Sequence, residues 1–407
     1  ICNKKHGFLV RKSLEKFKLE ADIMLEPEGK NTTAAIYLAA KCSTKNDNLL
    51  IIPSDHLIPD KNKFVEDIET ITKNLSFDHW ITLGVTPTKP SEAYGYIKVS
   101  NSEDHTDLLN VTSFIEKPSK KIAAQLIKDE NYYWNAGIFF GRSSMIINSI
   151  KKYAPNIAIH CDYAFKNRKI KEKINEINFS SDLFSKIPSQ SIDFSVLEYE
   201  KNIYLYPMNG KWSDVGSWDA IAEIYKNTNV SKNVLEIDSK DNFVRSSKRL
   251  IATIGVKDLI IIDSDNATLI VKKSHSEKVK LIVDKLIEKK NTAGTEHSFE
   301  NRPWGKFYNL LDDQNCKVKQ IQVSPKKRLS LQYHNFRSEH WLIIKGTATV
   351  YLDGELSKLS IGMSIDIPKK SEHYIHNETN QNLIIIETQL GTYFGEDDII
   401  RLDDPHN

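Results

Sequence analysis

Residues 332–346 read Gln-Tyr-His-Asn-Phe-Arg-Ser-Glu-His-Trp-Leu-Ile-Ile-Lys-Gly, and residues 362–377 read Gly-Met-Ser-Ile-Asp-Ile-Pro-Lys-Lys-Ser-Glu-His-Tyr-Ile-His-Asn. On a strand, Gln332 and His334 are two positions apart and share a face, and Glu339 follows after a turn. His373 enters beyond the turn at Pro368. Two imidazoles, a carboxylate and an amide oxygen form a donor set for a divalent metal with positions left open for a substrate. The competing reading is a set of histidines satisfied inside a β-barrel, which a lone histidine would favour. The joint spacing of the two segments favours the metal.

Around these segments the chain is strongly β. From Arg302-Pro303-Trp304-Gly305 to Glu387, short strands alternate with Gly and Asn turns, as in a small antiparallel barrel. A polar linker, Lys289 to Glu300, precedes it. Further upstream, Leu259-Ile260-Ile261-Ile262 and Thr268-Leu269-Ile270-Val271 flank the turn Asp263-Ser264-Asp265-Asn266, a small β region that begins where the pattern changes near Asn227 to Asn233. Val279, Ile282, Val283, Leu286 and Ile287, at helical spacing, close it. No internal repeat of fixed period is evident.

The first half alternates strands with helical patterns. Leu49-Leu50-Ile51-Ile52 runs into Pro53-Ser54-Asp55-His56, a helix with Phe64, Ile68 and Ile71 on one face follows, and Trp80 to Val85 is another strand. Such alternation indicates βαβ units and a largely parallel sheet, whose ligands gather beyond the carboxyl ends of the strands. Asp55 is in that position. The expected organisation is an α/β domain over 1–225, a β-rich middle region over 226–290 and a barrel over 291–407.

Composition narrows the function classes. Lys and Arg number 56 against 54 Asp and Glu, a formal charge of +2 without a basic stripe, which argues against a nucleic-acid binder. No apolar run reaches the roughly 18–20 residues of a membrane span. The four cysteines, Cys2, Cys42, Cys161 and Cys316, form no Cys-x-x-Cys pair, so a reducing cytoplasm is expected, with Cys42 and Cys161 as inert buried thiols.

The two C-terminal segments match the two cupin motifs, with Gln332 in place of the first histidine. That replacement resembles phosphomannose isomerases. Leu329-Ser330-Leu331-Gln332, Arg337, Glu339-His340-Trp341, Gly346-Thr347-Ala348 and the tail Gly395-Glu396-Asp397-Asp398-Ile399-Ile400-Arg401 resemble the type II mannose-6-phosphate isomerase module. This module is usually fused behind a mannose-1-phosphate guanylyltransferase. The resemblance implies a cupin metal site of Gln332, His334, Glu339 and His373 for an ion such as Zn2+, Co2+ or Mn2+. It also implies Arg401 and Arg337 as contacts to phosphate or enediolate, with His340 as a guess for the general base. The family often has histidines where this chain has Asn335 and Phe336; if either position supports catalysis, isomerisation would be reduced or absent with metal still bound.

Seven further stretches occur in order: EPEGKNTTAAI (26–36), PSDHLI (53–58), SEAYGYIK (91–98), FIEKP (114–118), WNAGIF (134–139), SIDFSVLE (191–198) and WSDVGSW (212–218). Together they resemble the mannose-1-phosphate guanylyltransferase family from residue 1 to about 225. The implied fold is a nucleotidyltransferase with a Rossmann-like mixed sheet, and the implied reaction joins GTP and mannose-1-phosphate into GDP-mannose. Asp55 and Asp214 would share Mg2+, Asn31 and Thr32 would touch the nucleotide, and Tyr94, Gly95, Glu116, Lys117, Asn135 and Gly137 would line the mannose pocket. Glu116–Lys117 as a solvated pair and Asp214 as a turn cap are the structural alternatives.

The family opens with a strand and a Gly-Gly-x-Gly-x-Arg-Leu-x-Pro loop, and Lys4, Lys5, Arg11 and Lys12 do not match it. Ile1 to Val10 resembles the family's second strand and following helix. The expectation is a fragment of a longer protein in which a central strand is missing and two sheet edges are exposed, with little GDP-mannose synthesis by these residues alone. Three functions stay open: a bifunctional enzyme with mannose-6-phosphate isomerisation, a guanylyltransferase with a structural cupin, and a non-catalytic sugar-nucleotide binder. A homo-oligomer is also open, with the middle region as one place for a subunit contact.

Overall fold

The computed structural model describes residues 1–73, 79–100, 107–225, 233–246, 248–289, 291–294 and 299–405. The change of pattern at 227–232, and residues 290 and 295–298 of the polar linker, lie outside that set. The chain divides into two compact units, Ile1–Ala220 and Ile221–Asn407.

In the first unit, six strands form a sheet in the order Asn48–Ile51, Tyr132–Arg142, Trp80–Val85, Ile203–Pro207, Leu109–Ile115 and Tyr96–Ser100. Trp80–Val85 and Ile203–Pro207 run parallel, and the other neighbours are antiparallel, so the sheet is mixed rather than largely parallel. A second sheet holds Cys2–Asn3, Ile23–Glu26, Glu176–Asn178 and Lys169–Lys171. Cys2–Asn3 pairs only with Leu25–Glu26, and Asn48–Ile51 only with Phe139–Arg142, so among the described residues each leaves one side open. The α/β layer is thus two sheets rather than one.

One apolar core nevertheless crosses both sheets. Met24 and Ile177 from one sheet join Trp80 and Phe139 from the other, together with Ile36 and Leu38 of helix Asn31–Cys42 and Ile146, Ile157 and Cys161 of two later helices. Ile23-Met24-Leu25 is buried on both faces, as a strand between helix layers requires. Burial pushes the Cys161 thiol up to about 12, which leaves it inert. Cys42, expected to be buried, is exposed because it ends its helix at a polar turn.

The second unit begins with a surprise for the sequence reading. Val234–Ile237 pairs in parallel with Ile251–Ile254, and Phe243–Ser246 with Leu259–Asp263. Val234 opposes Ile251 and Phe243 opposes Ile260, a constant offset of 17 residues. Left-handed corners recur at the same offset, at Asp238 and Gly255 and again at Asp241 and Asp258. These are two coils of a parallel β-helix, so an internal repeat does exist. Between 234–246 and 251–263, identity survives only at Ile237/Ile254, Lys240/Lys257 and Asp241/Asp258, too little to stand out across two coils. Thr268–Lys272 then pairs antiparallel with Leu259–Asp263, and helix Val279–Glu288 follows.

From Phe299 the chain builds two facing antiparallel sheets. One runs Phe299–Arg302, Gly305–Asp313, Cys316–Val323, Leu383–Gly391, Arg337–Lys345, Ser364–Ile367. The other runs Glu355–Leu359, Ala348–Leu352, His373–His376, Leu331–Tyr333, Ile400–Asp403. Val323, Trp341, Val350, Ile375 and Ile385 fill the space between them. Along Arg337–Lys345 and Leu383–Gly391 every second residue is buried, and that inward phase carries polar residues at one end of the interior.

Candidate functional sites

The polar end of the barrel interior brings the C-terminal motifs together. His334, Glu339 and His373 are buried, and one ligand atom from each lies within 4.8 Å of the others. His334 Nε2 is 3.1 Å and His373 Nε2 is 3.8 Å from the Glu339 carboxylate. The opposite ring nitrogens face backbone carbonyls: His373 Nδ1 is 2.8 Å from Ser371 O and His334 Nδ1 3.3 Å from Asp398 O. Donation from Nδ1 leaves each Nε2 as a lone-pair donor, and both Nε2 atoms are buried without a hydrogen-bond partner. Gln332 stands directly opposite His373 across its strand pair and accepts from Ser330 Oγ at 3.0 Å. A metal fits this donor set, because orphaned buried imidazole nitrogens facing a carboxylate are what a divalent ion satisfies.

Burial alone would raise the Glu339 pKa, but the facing His334 and His373 rings and the Arg337 guanidinium hold it well below the carboxylate range. Burial holds His373 below the ordinary imidazole value, so it stays neutral and able to ligate. Arg337 is 2% exposed; it donates to Glu339 at 3.2 Å and lies 3.5 Å from Asp398. That placement turns it toward the Glu339 carboxylate and the loop that carries Asp398. Asp398 also accepts from the backbone N–H of Asn335 and Phe336, and the Phe336 side chain is exposed. Arg401 sits opposite Gln332 on the neighbouring strand, partly exposed and 3.6 Å from Glu396. His340 is not with the triad. The two-residue period of its strand sends it to the outer face, where it meets Asp366 at 2.7 Å.

The sequence reading missed Glu387 and Gln389, which are 4% and 1% exposed. They stand beside Trp341 and Glu339 on adjacent strands. Their signal lay in Leu383 to Gly391: Glu387 and Gln389 continue the phase that Leu383 and Ile385 open as apolar and inward-facing. Burial and the charge of Glu339 push the Glu387 carboxyl up.

In the first unit, Leu57 and Ser213 exchange backbone hydrogen bonds of 2.8 and 3.0 Å, which joins the turn carrying Asp55 to the turn carrying Asp214. His56, next to Asp55, accepts from the Trp212 indole N–H at 3.2 Å. Burial lowers its pKa against the opposing charges of Asp55 and Asp214. Asp214 Oδ1 accepts from Gly216 N at 3.1 Å, so it does cap a turn, and also from Tyr94 Oη at 3.0 Å. Tyr94 packs edge-on between Trp134 and Trp212. Gly95 O accepts from Asn135 N at 2.9 Å, and a side chain at Gly95 would overlap the Glu116 carboxylate. Asn135 Oδ1 accepts from Gly137 N, whose φ of 66° suits glycine, and Asn135 Nδ2 donates to Asp193 at 2.9 Å.

Burial raises the pKa of both Glu116 and Asp193, and the charge of Asp193 adds to the effect on Glu116. Lys117 Nζ is 3.9 Å from Glu116, a loose pair with the lysine largely exposed. Asn31 opens helix Asn31–Cys42 in a left-handed conformation, and Thr32 Oγ1 accepts from Ile192 N at 2.9 Å. The segment holding Asp193 thus touches both the helix start and Asn135. Asp193 and His56 belong to stretches quoted from the sequence, yet neither was chosen as a site residue.

Comparison with known proteins decides the family. A Mannose-1-phosphate guanylyltransferase of Salmonella muenchen is 37% identical over 99% of this chain and 87% of its own length. The chain belongs to the mannose-1-phosphate guanylyltransferase family. Residues 1–231 match the Nucleotidyl transferase family, 232–286 the MannoseP isomerase/GMP-like beta-helix domain, and 289–404 the Mannose-6-phosphate isomerase C-terminal family. The Xanthan biosynthesis protein XanB of Xanthomonas campestris is 32% identical over all of this chain and 87% of its own. A solved Thermus thermophilus protein described as mannose-1-phosphate geranyltransferase shares the fold, with a TM-score of 0.57 and 23% identity over 68% of this chain and 81% of that one. The two coils of this guanylyltransferase-family chain lie within the β-helix match. No helix among the described residues is long and apolar enough to cross a membrane.

Proposed function

We propose that this protein serves GDP-mannose biosynthesis in the cytoplasm for a surface polysaccharide. The first unit carries the site for guanylyl transfer from GTP to mannose-1-phosphate with release of diphosphate, and the barrel the site for interconversion of mannose-6-phosphate and fructose-6-phosphate. The observation that supports this most is the paired turn at Leu57 and Ser213, which gathers residues from separate motifs around Asp214 and Tyr94. Asp55 and Asp214 would hold Mg2+, which supplies charge neutralisation at phosphate oxygens. Tyr94 and Gly216 orient Asp214 for that role. Glu116 accepts from sugar hydroxyls, Asn135 is held for the same pocket by Asp193 and Gly95, and Lys117 is exposed enough to meet a phosphate. Asn31 and Thr32 border the nucleotide side.

In the barrel, Gln332, His334, Glu339 and His373 would hold Zn2+, Co2+ or Mn2+, which supplies Lewis acidity for the enediolate oxygens. Arg401, at the mouth beside Gln332, binds the substrate phosphate, and Arg337 fixes Glu339 from behind. The outward-facing His340 supports a second reading, in which the barrel binds metal and sugar phosphate without turnover. Two measurements test the proposal: GDP-mannose binding by calorimetry, and fructose-6-phosphate formation from mannose-6-phosphate with and without a chelator. Chelator-sensitive turnover upholds isomerisation, and metal binding without turnover selects the second reading. A protein that binds no GDP-mannose refutes the reading of the first unit.

A further inference from the structure

Glu339 and Glu387 lie on adjacent antiparallel strands of the barrel and share two donors. Glu339 stands opposite Gln389, and Trp341 opposite Glu387, so the four inward side chains form a square. Gln389 Nε2 donates to Glu339 Oε1 at 3.1 Å and to Glu387 Oε1 at 2.8 Å. Trp341 Nε1 lies 3.1 Å from Glu339 Oε2 and 3.2 Å from Glu387 Oε2. The Gln389 amide oxygen is buried with no partner, so only the two carboxylates decide which way that amide points. Each oxygen of Glu339 therefore has a donor behind it and an imidazole nitrogen in front.

We propose that Glu387 is a positioning residue for the metal centre: by anchoring Gln389 and Trp341, it fixes the orientation in which Glu339 faces His334 and His373. The inference rests on the metal reading of the triad. Its physical basis is that two carboxylate oxygens can accept from both donors, whereas a carboxamide offers one acceptor and one donor group. In a Glu387→Gln variant, either Gln389 or Trp341 meets an opposing N–H, and the misplaced donor no longer fixes Glu339. Lys319, which stands opposite Glu387 on the next strand and is 8% exposed, would face a carboxamide in that variant. The double variant Glu387→Gln/Lys319→Met removes both ionisable groups and separates loss of fold from loss of positioning.

The test measures Mn2+ affinity of the full chain by competition with a chromophoric chelator, the electron paramagnetic resonance line shape of bound Mn2+, and thermal unfolding of the metal-free proteins. Loss of a partner behind a metal ligand costs about 10- to 100-fold in affinity. A loss of that size is expected in both variants, with a broadened Mn2+ spectrum, and the double variant keeps the parent's cooperative unfolding. Trp341→Phe, which deletes the shared indole N–H, should weaken binding less than additively when combined with Glu387→Gln. Affinity and line shape equal to the parent in the double variant would overturn the role of Glu387 alone. A parent that binds no Mn2+ would overturn the metal reading and this inference with it.

Discussion

Gly95→Ala tests the sugar pocket with a single methyl group. A Cβ at position 95 overlaps the Glu116 carboxylate and lies 3.3 Å from Phe114 Cε1. The backbone has little room to retreat, because Gly95 O holds Asn135 N at 2.9 Å and Tyr96 pairs with Ile115 on the next strand. If Glu116 stays, overpacking costs about 1–3 kcal/mol, or roughly 2–4 °C in Tm for each kcal/mol in a domain of this size. If Glu116 swings away, stability recovers but its hydrogen bonds to the sugar are lost. Hydrogen bonds to a charged group contribute about 1.5–3 kcal/mol, so the Kd for GDP-mannose should rise roughly 10- to 150-fold. Calorimetric titration with GDP-mannose and a thermal melt on the same preparation separate the two responses. A variant with both the parent's Kd and the parent's Tm would refute the placement of Glu116 against Gly95 and its role in sugar binding.

The raised pKa values of Glu116 and Asp193 give a pH signature. Folded protein holds protons that the unfolded chain releases, so this contribution to stability falls as pH rises from the ordinary carboxylate range through the raised folded values. The loss at Asp193 is about 1.4 kcal/mol for every tenfold difference in proton affinity between folded and unfolded chain, and solvent screening makes the loss at Glu116 smaller. Asp193→Asn should flatten that slope and raise Tm at neutral pH; an unchanged pH–Tm profile would contradict it. Gln332→Ala, His334→Ala and His373→Ala should each lower bound metal measured by atomic emission, and unchanged stoichiometry in all three would dismiss the cupin site. Chelation should lower the barrel's Tm in the parent, since a ligand at 100 times its Kd stabilises by about 2.7 kcal/mol. Thiol titration of the native protein should label exposed Cys42 and spare Cys161 until unfolding; rapid labelling of Cys161 would contradict its burial.

The alternation of apolar residues made the strands and helices legible, and the two motif segments pointed to His334, Glu339 and His373, which the fold brings within 4.8 Å of one another. His340 shows where this reading ran out. It is adjacent to Glu339 in sequence, and adjacency on a strand means opposite faces. Glu387 and Gln389 were hidden because their partners Trp341 and Glu339 come 46 and 50 residues earlier, so only the register pairs them. The β-helix was hidden for a different reason. Its pitch is enforced by backbone pairing and by left-handed corners, which Asp and Gly both supply, so side-chain identity can drift. In the first unit, the joined turns of Asp55 and Asp214 could be guessed only from family likeness, since the bond between Leu57 and Ser213 closes a long loop.

The constant offset of the β-helix also makes chain length there a stepped quantity. Each coil hands its backbone donors and acceptors to the next one, Val234–Ile237 to Ile251–Ile254 and Phe243–Ser246 to Leu259–Asp263. An insertion of one whole coil re-creates the same surface at its end and leaves every existing rung intact. An insertion one residue longer or shorter moves Ile260 and its in-register neighbours out of the interior, because a strand that slips by one turns each side chain over. Related chains should therefore differ in this segment by full turns or confine odd changes to the corners at Asp238, Asp241, Gly255 and Asp258.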